Sequence, residues 1–133
     1  MEEIKFSDVR NSKISEHPEN QTQKYIDFHD WEKIDLRVGK ILSVEDHPDA
    51  NKLYLLEVDL GKFGKRKLVA GIKPYYKPKD LKGKLCIVFC NLEPAVIRGV
   101  KSEGMILAAS NEDRSKVILI SPKKEIDLGS KIS

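Results

Sequence analysis

The side chains best suited to chemistry crowd into one block. Between Lys62 and Lys101 eleven cations stand against two acids, Asp80 and Glu93, a net charge of +9. Residues 1–34 carry five cations and eight anions, and residues 35–61 carry three and six. A surface that only solvates a protein mixes both signs, whereas a one-sign block raises the local potential and favours phosphate. The block ends in NLEPAVIRGVKSEGMILAAS, residues 91–110, where Arg98, Lys101, Ser102, Glu103 and Gly104 precede an apolar strand. Guanidinium and ammonium groups neutralise phosphate, and hydroxyl or amide groups hydrogen-bond to phosphate or to a ribose 2′-hydroxyl. Phe63, Tyr75 and Tyr76 lie among the lysines, where rings either stack on bases or pack in a core. A membrane surface fits less well, because no amphipathic helix with an apolar face accompanies the lysines.

Reaction chemistry finds no comparable set. GKFGKRK is not a phosphate-cradling P-loop, which needs four residues between its glycines and Ser or Thr after the lysine. The GXXG of Gly61 to Gly64 matches the RNA clamp of KH domains, but that loop joins helices and this one joins strand-like LEVDL and KLVAG. No nucleophile elbow, H-E-x-x-H motif or Cys–His couple is present. Asp46, His47 and Asp49 stand together, yet a turn between strands selects these types for local hydrogen bonding. Cys86 and Cys90, in LCIVFC, read as buried free thiols, and the scattered histidines supply no zinc set. No catalytic residue, metal or cofactor is expected.

These groups must be carried by one domain of mainly β structure, which 133 residues can fill. Residues 1–25 show neither helical nor strand period and read as a polar arm. DFHDWEKID suggests a short helix capped by Asp30, with Trp31 in the core. From Asp35 the period becomes two: Leu36, Val38, Leu42 and Val44 alternate with Arg37, Gly39, Ser43 and Glu45, and Gly39 marks a bend or bulge. HPDAN is a turn, Leu53 to Leu60 and Arg66 to Ala70 are hairpin strands, and LCIVFC, MILAAS and KVILIS follow as strands. Lys73 to Gly83, with Pro74 and Pro78, leaves room for one helical turn. Short strands at close spacing predict a small barrel. No stretch approaches the roughly 18 apolar residues that span a bilayer. The polar, acidic start carries no export pattern, so the cytoplasm is the expected compartment.

DLRVGKI (35–41), VEDHPDANKL (44–53), RKLVAGIKPYY (66–76), LKGK (81–84) and RGVKSEGMILAAS (98–110) occur in order. Together they resemble the tRNA-binding domain found at the C-terminus or as the beta subunit of methionyl-tRNA synthetases, in synthetase cofactors and in free-standing bacterial proteins. The resemblance covers residues 27 to 133. It implies an OB-fold, a five-stranded Greek-key barrel with extra C-terminal strands, over residues 26–133. It also implies a non-catalytic module that binds tRNA by shape. Asn51, Lys52, Ser102 and Met105 fall on the family's motif positions, with Asn91 and Arg98 nearby and Arg66, Lys67 and Lys101 in the same basic block; Lys62 and Lys65 are auxiliary. Many relatives are basic where LEPAVI places Glu93 and Val96, and the hairpin cations Lys62, Lys65, Arg66 and Lys67 are expected to compensate.

Two partners follow from the same resemblance. A single small domain gains affinity by pairing across a twofold axis, so a homodimer is expected. Acting in trans, the domain would serve a methionyl-tRNA synthetase, with the acidic arm as docking segment. The alternative is a secretion-associated chaperone of the same fold that binds unfolded polypeptide; HPDANKL, GVKSEGM and the basic block favour tRNA.

Overall fold

The computed structural model describes residues 24–133, so the polar arm lies almost wholly outside the described residues. The described chain divides into a unit ending at Ile34 and a unit from Asp35 to Ser133. In the first, helix α1 spans Phe28–Glu32. Its cap is Asp27, not Asp30: Asp27 is extended and its Oδ1 accepts the His29 N–H at 3.1 Å. Asp30 falls in the first turn instead, where its carboxylate complements the helix dipole and meets Lys33 at 3.2 Å. Trp31 is only partly buried and does not belong to the core.

The second unit is mainly β. Strands β1 (Leu36–Asp46), β2 (Tyr54–Asp59), β3 (Lys65–Ala70), β4 (Leu85–Phe89), β5 (Ala95–Ile97), β6 (Val100–Ser102), β7 (Met105–Ile106), β8 (Ala108–Ser110) and β9 (Val117–Leu119) follow one another. A 3-10 turn, Gly61–Phe63, links β2 to β3, and helix α2, Pro78–Leu81, precedes β4. Five antiparallel strands run in the order β3-β2-β1-β4-β7, nearly closing an OB-like barrel. Hairpin β8–β9 supplies the extra C-terminal strands, and hairpin β5–β6 is inserted between barrel strands β4 and β7. Closure between β3 and the chain at Ser102 and Glu103 includes the bonds Glu103 N–H to Lys67 O at 2.9 Å and Val69 N–H to Ser102 Oγ at 3.0 Å.

Alternation builds the core where it is regular. Along β2, Tyr54, Leu56 and Val58 point inward and are buried, and Leu68 on β3 and Val88 on β4 join them. Burying each such aliphatic chain contributes about 1.5–3 kcal/mol. In β1 the period slips. The register against β2 shifts between Ile41 and Ser43, so Ile41 is fully buried and Leu42 only partly. The irregularity is therefore not at Gly39, which pairs regularly with Cys86. Gly39 is there for close approach, since a Cβ would lie 2.5 Å from Val58 Cγ1.

The first residues of β1 have one edge free of β2, whose pairing begins at Lys40. The C-terminal segment fills it. Val38 N–H donates to Ser130 O (2.9 Å), Gly129 N–H to Val38 O (2.8 Å) and Ile132 N–H to Leu36 O (2.8 Å). The Arg37 guanidinium donates to Gly129 O at 2.8 Å and lies 3.9 Å over the Phe63 ring.

Candidate nucleic-acid interface

β1 and β2 are joined by the HPDANKL turn, and the chain must reverse there over residues 47–53. His47 is buried at 4 % exposure, its Nδ1 accepting the Asp49 N–H at 2.9 Å. Facing this turn is the tip of the β5–β6 hairpin. Ile97 pairs with Val100, leaving Arg98 and Gly99 as a two-residue turn with φ of +51° and +87°. Positive φ at both places belongs to the type I′ turn, whose twist matches that of the flanking strands. Arg98 Nη2 donates to Asp49 O at 2.9 Å, and His47 Nε2 lies 3.1 Å from Ile97 O. An open groove of about 370 Å3 results, lined by Ala50, Asn51, Lys52, Leu53 and Arg98.

The structure thus brings Asn51, Lys52 and Arg98 together from positions nearly fifty residues apart. Lys67 and Lys101 meet in a second groove of about 350 Å3, with Glu45 and Glu57 in its wall. Arg66 and Asn91 border a third, beside Glu93 and Glu103. There Arg66 Nη1 donates to Cys90 O (2.6 Å) and to Glu103 O (3.0 Å), so its charge works as a backbone clip. Asn91 Oδ1 accepts the Asp35 N–H at 2.8 Å. Met105 is half-exposed and lines a further hollow with Ile106 and Val117. Lys62 and Lys65 are exposed around the β2–β3 turn.

Ser102 stands elsewhere from where a rim residue would. At 3 % exposure it faces inward from β6, its hydroxyl donating to Gly104 O at 2.9 Å and accepting from Val69. Its only proton and one of its lone pairs are used within the protein. Glu103 orients its neighbours, Oε1 accepting the Lys67 N–H at 3.1 Å. The tyrosines serve packing: Tyr75 donates to Arg114 O, while Tyr76 accepts from Leu119 N–H and takes the Tyr54 hydroxyl on its carbonyl. Phe63 keeps an exposed ring flanked by Arg37 and Lys62.

Reactive groups are muted. Cys86 and Cys90 are free and buried, and burial pushes the Cys86 thiol up to about 12 and that of Cys90 upward as well. A thiolate nucleophile is disfavoured in both. Among the described residues no group of three or more His, Cys, Asp and Glu could hold a metal ion, and no helix is long and apolar enough to cross a membrane. The residue that sequence reasoning passed over is His47, read only as a turn former; its paired role shows in three dimensions alone, although RGV already spelled the tight turn it meets.

The family model "Putative tRNA binding domain" matches residues 36–131. Methionine–tRNA ligase of Pyrococcus horikoshii is 50 % identical over 92 % of this chain, and that of Methanocaldococcus jannaschii is 49 % identical over 99 %. The chain spans only 17 % and 20 % of their lengths. A MetRS-related protein from Pyrococcus horikoshii superposes with a TM-score of 0.78, at 33 % identity, over 84 % of this chain and all of that one. The chaperone CsaA of Bacillus anthracis gives 0.75 at 33 % identity, over 83 % of this chain and all of that one.

Proposed function

We propose, from the premise that this chain belongs to the tRNA-binding domain family, that it is a non-catalytic module recognising folded tRNA by shape. The observation that carries the reading is the groove in which Asn51, Lys52 and Arg98 converge. Lys52 and Arg98 neutralise phosphates there, and Asn51 hydrogen-bonds to phosphate or ribose. Lys67, Lys101, Lys62 and Lys65 extend the basic surface, and Met105 packs on a sugar or base. Arg66, Asn91 and Ser102 contribute by holding the backbone that carries these groups. The module works in the cytoplasm, free-standing as a homodimer or in trans with a methionyl-tRNA synthetase.

The test compares a folded tRNA with an unstructured RNA of equal length at about 50 and 200 mM salt, where roughly five phosphate contacts imply about 500-fold weaker binding at the higher salt. Preference for the folded RNA with that slope supports the reading; equal, weak binding to both removes it. A second reading, binding of unfolded polypeptide, is favoured by the likeness to CsaA and by the exposed apolar side chains of Val96, at 72 %, and Leu92. Saturable binding of a denatured polypeptide, unaffected by salt, would select it.

A further inference from the structure

The two ring nitrogens of His47 fix its tautomer. The Asp49 amide can only donate, so Nδ1, 2.9 Å away, must carry a lone pair. The proton therefore sits on Nε2 and is donated to Ile97 O at 3.1 Å. That bond crosses fifty residues and lands immediately before Arg98. Arg98 returns the connection, Nη2 donating to Asp49 O. Asp49 thus gives its N–H to the imidazole and takes a guanidinium proton on its carbonyl, which closes a ring of three bonds, two of them between turn and hairpin.

Arg98 also holds a left-handed backbone that Gly, Asn or Asp adopt more readily. Strain of this kind persists where the surroundings over-determine it, and it concentrates at working sites. The surroundings here are the His47 ring, buried behind the turn, and the Asp49 carbonyl in front of it. The exposed groups beside them are Asn51 and Lys52.

We propose that His47 is a positioning residue for phosphate recognition: through its Nε2–H bond to Ile97 it holds the strained Arg98 over the groove shared with Asn51 and Lys52. The inference rests on the tRNA-binding reading. It gives His47 a task beyond turn formation, because the Asp49 bond alone would satisfy the turn.

Two substitutions separate the tasks. His47→Asn keeps an acceptor for the Asp49 N–H but cannot span to Ile97, whereas His47→Gln keeps a donor near the Nε2 position. Binding of folded tRNA is measured across salt for wild type, both variants, Arg98→Ala and the His47→Asn/Arg98→Ala pair, with thermal unfolding alongside. H47Q is expected within about twofold of wild type, and H47N to show a salt slope shallower by roughly 0.9, the signature of one lost phosphate contact. The double variant should bind no more weakly than R98A, because both changes act through one group. A folded H47N with wild-type affinity and slope, or H47N and R98A losses that add, overturns the proposal. Should H47N fail to fold, nitrogen NMR of the wild-type imidazole decides: an unprotonated Nδ1 and protonated Nε2 support it, and the reverse tautomer overturns it. Absence of tRNA binding by the wild type would remove the functional reading itself, and this proposal with it.

Discussion

Strands β1 to β4 are held by ladders of backbone bonds over a continuous apolar core, whereas the side chains of His47, Arg66 and Arg98 are each held by one or two bonds to distant backbone. In the barrel, any one residue is backed by many neighbours. At the rim, Arg98 leans on Asp49, His47 on Ile97 and Arg66 on Cys90 and Glu103, each across 24 to 50 residues. The contrast suits recognition of a folded nucleic acid. Phosphate spacing on a shape is fixed, so the cations must be presented by something rigid, yet a charged group cannot be buried to make it so. A neutral backbone carbonyl solves this for Arg98, steering its guanidinium without adding an opposite charge.

The sharpest break of the comparison is Leu56→Ala. It removes a buried side chain of the barrel and should lower stability by about 3 kcal/mol in chemical denaturation. RNA affinity per folded molecule should stay as it was. Replacing Lys62, Lys65 and Lys67 with Ala should do the opposite, leaving stability within about 0.5 kcal/mol. The salt slope should fall by roughly 2.7, which amounts to about 40-fold between 50 and 200 mM. Arg66 is left out of that set, because removing it would strip Cys90 and Glu103 of their donor. Unchanged RNA affinity in the triple variant would end the idea that the β2–β3 hairpin compensates for Glu93 and Val96.

Ser102→Ala sits on the border between the regions. Leaving the Val69 N–H without its acceptor should cost about 1–2 kcal/mol, with the salt slope unaltered. A changed slope at wild-type stability would return Ser102 to direct RNA contact. Smallest is Arg98→Asn, in which relief of the left-handed conformation and loss of the bond to Asp49 O offset one another, so stability should stay within about 0.5 kcal/mol while tRNA binding weakens. Weaker binding at unchanged stability is the mark of a strained working residue; both falling together would class Arg98 as scaffold.

Much of this was legible in sequence, for reasons that differ by residue. The strands announced themselves because a half-buried sheet forces alternation, as in YLLEVD, and the barrel followed from their number and spacing. The cations of the rim were legible because charge needs no three-dimensional context to be counted. What escaped depended on register or on distance. Ile41 was missed because the shift between Ile41 and Ser43 breaks the count of two. Ser102 looked like a rim residue because serine is polar, yet Val100 and Ser102 alternate with exposed Lys101, and the inward slot tolerates a hydroxyl that finds both partners. Trp31 is large and apolar but belongs to a helix that buries none of its residues fully. His47 needed Ile97, and no local pattern links them.

The strand-like pairing of residues 129–132 with the beginning of β1 has a consequence for the order of events during synthesis. While a ribosome is still making the later residues, the edge at Leu36 to Val38 has no partner, and an open edge is where chains recruit one another. The barrel's first strand is thus completed only after residues 129–132 have been made. Arg37 makes the delay audible at a distance, because the Gly129 carbonyl that steers it also sets the stack on Phe63, at the tip of the basic hairpin. A nascent chain can therefore gather its interior before the stack of Arg37 on Phe63 is set.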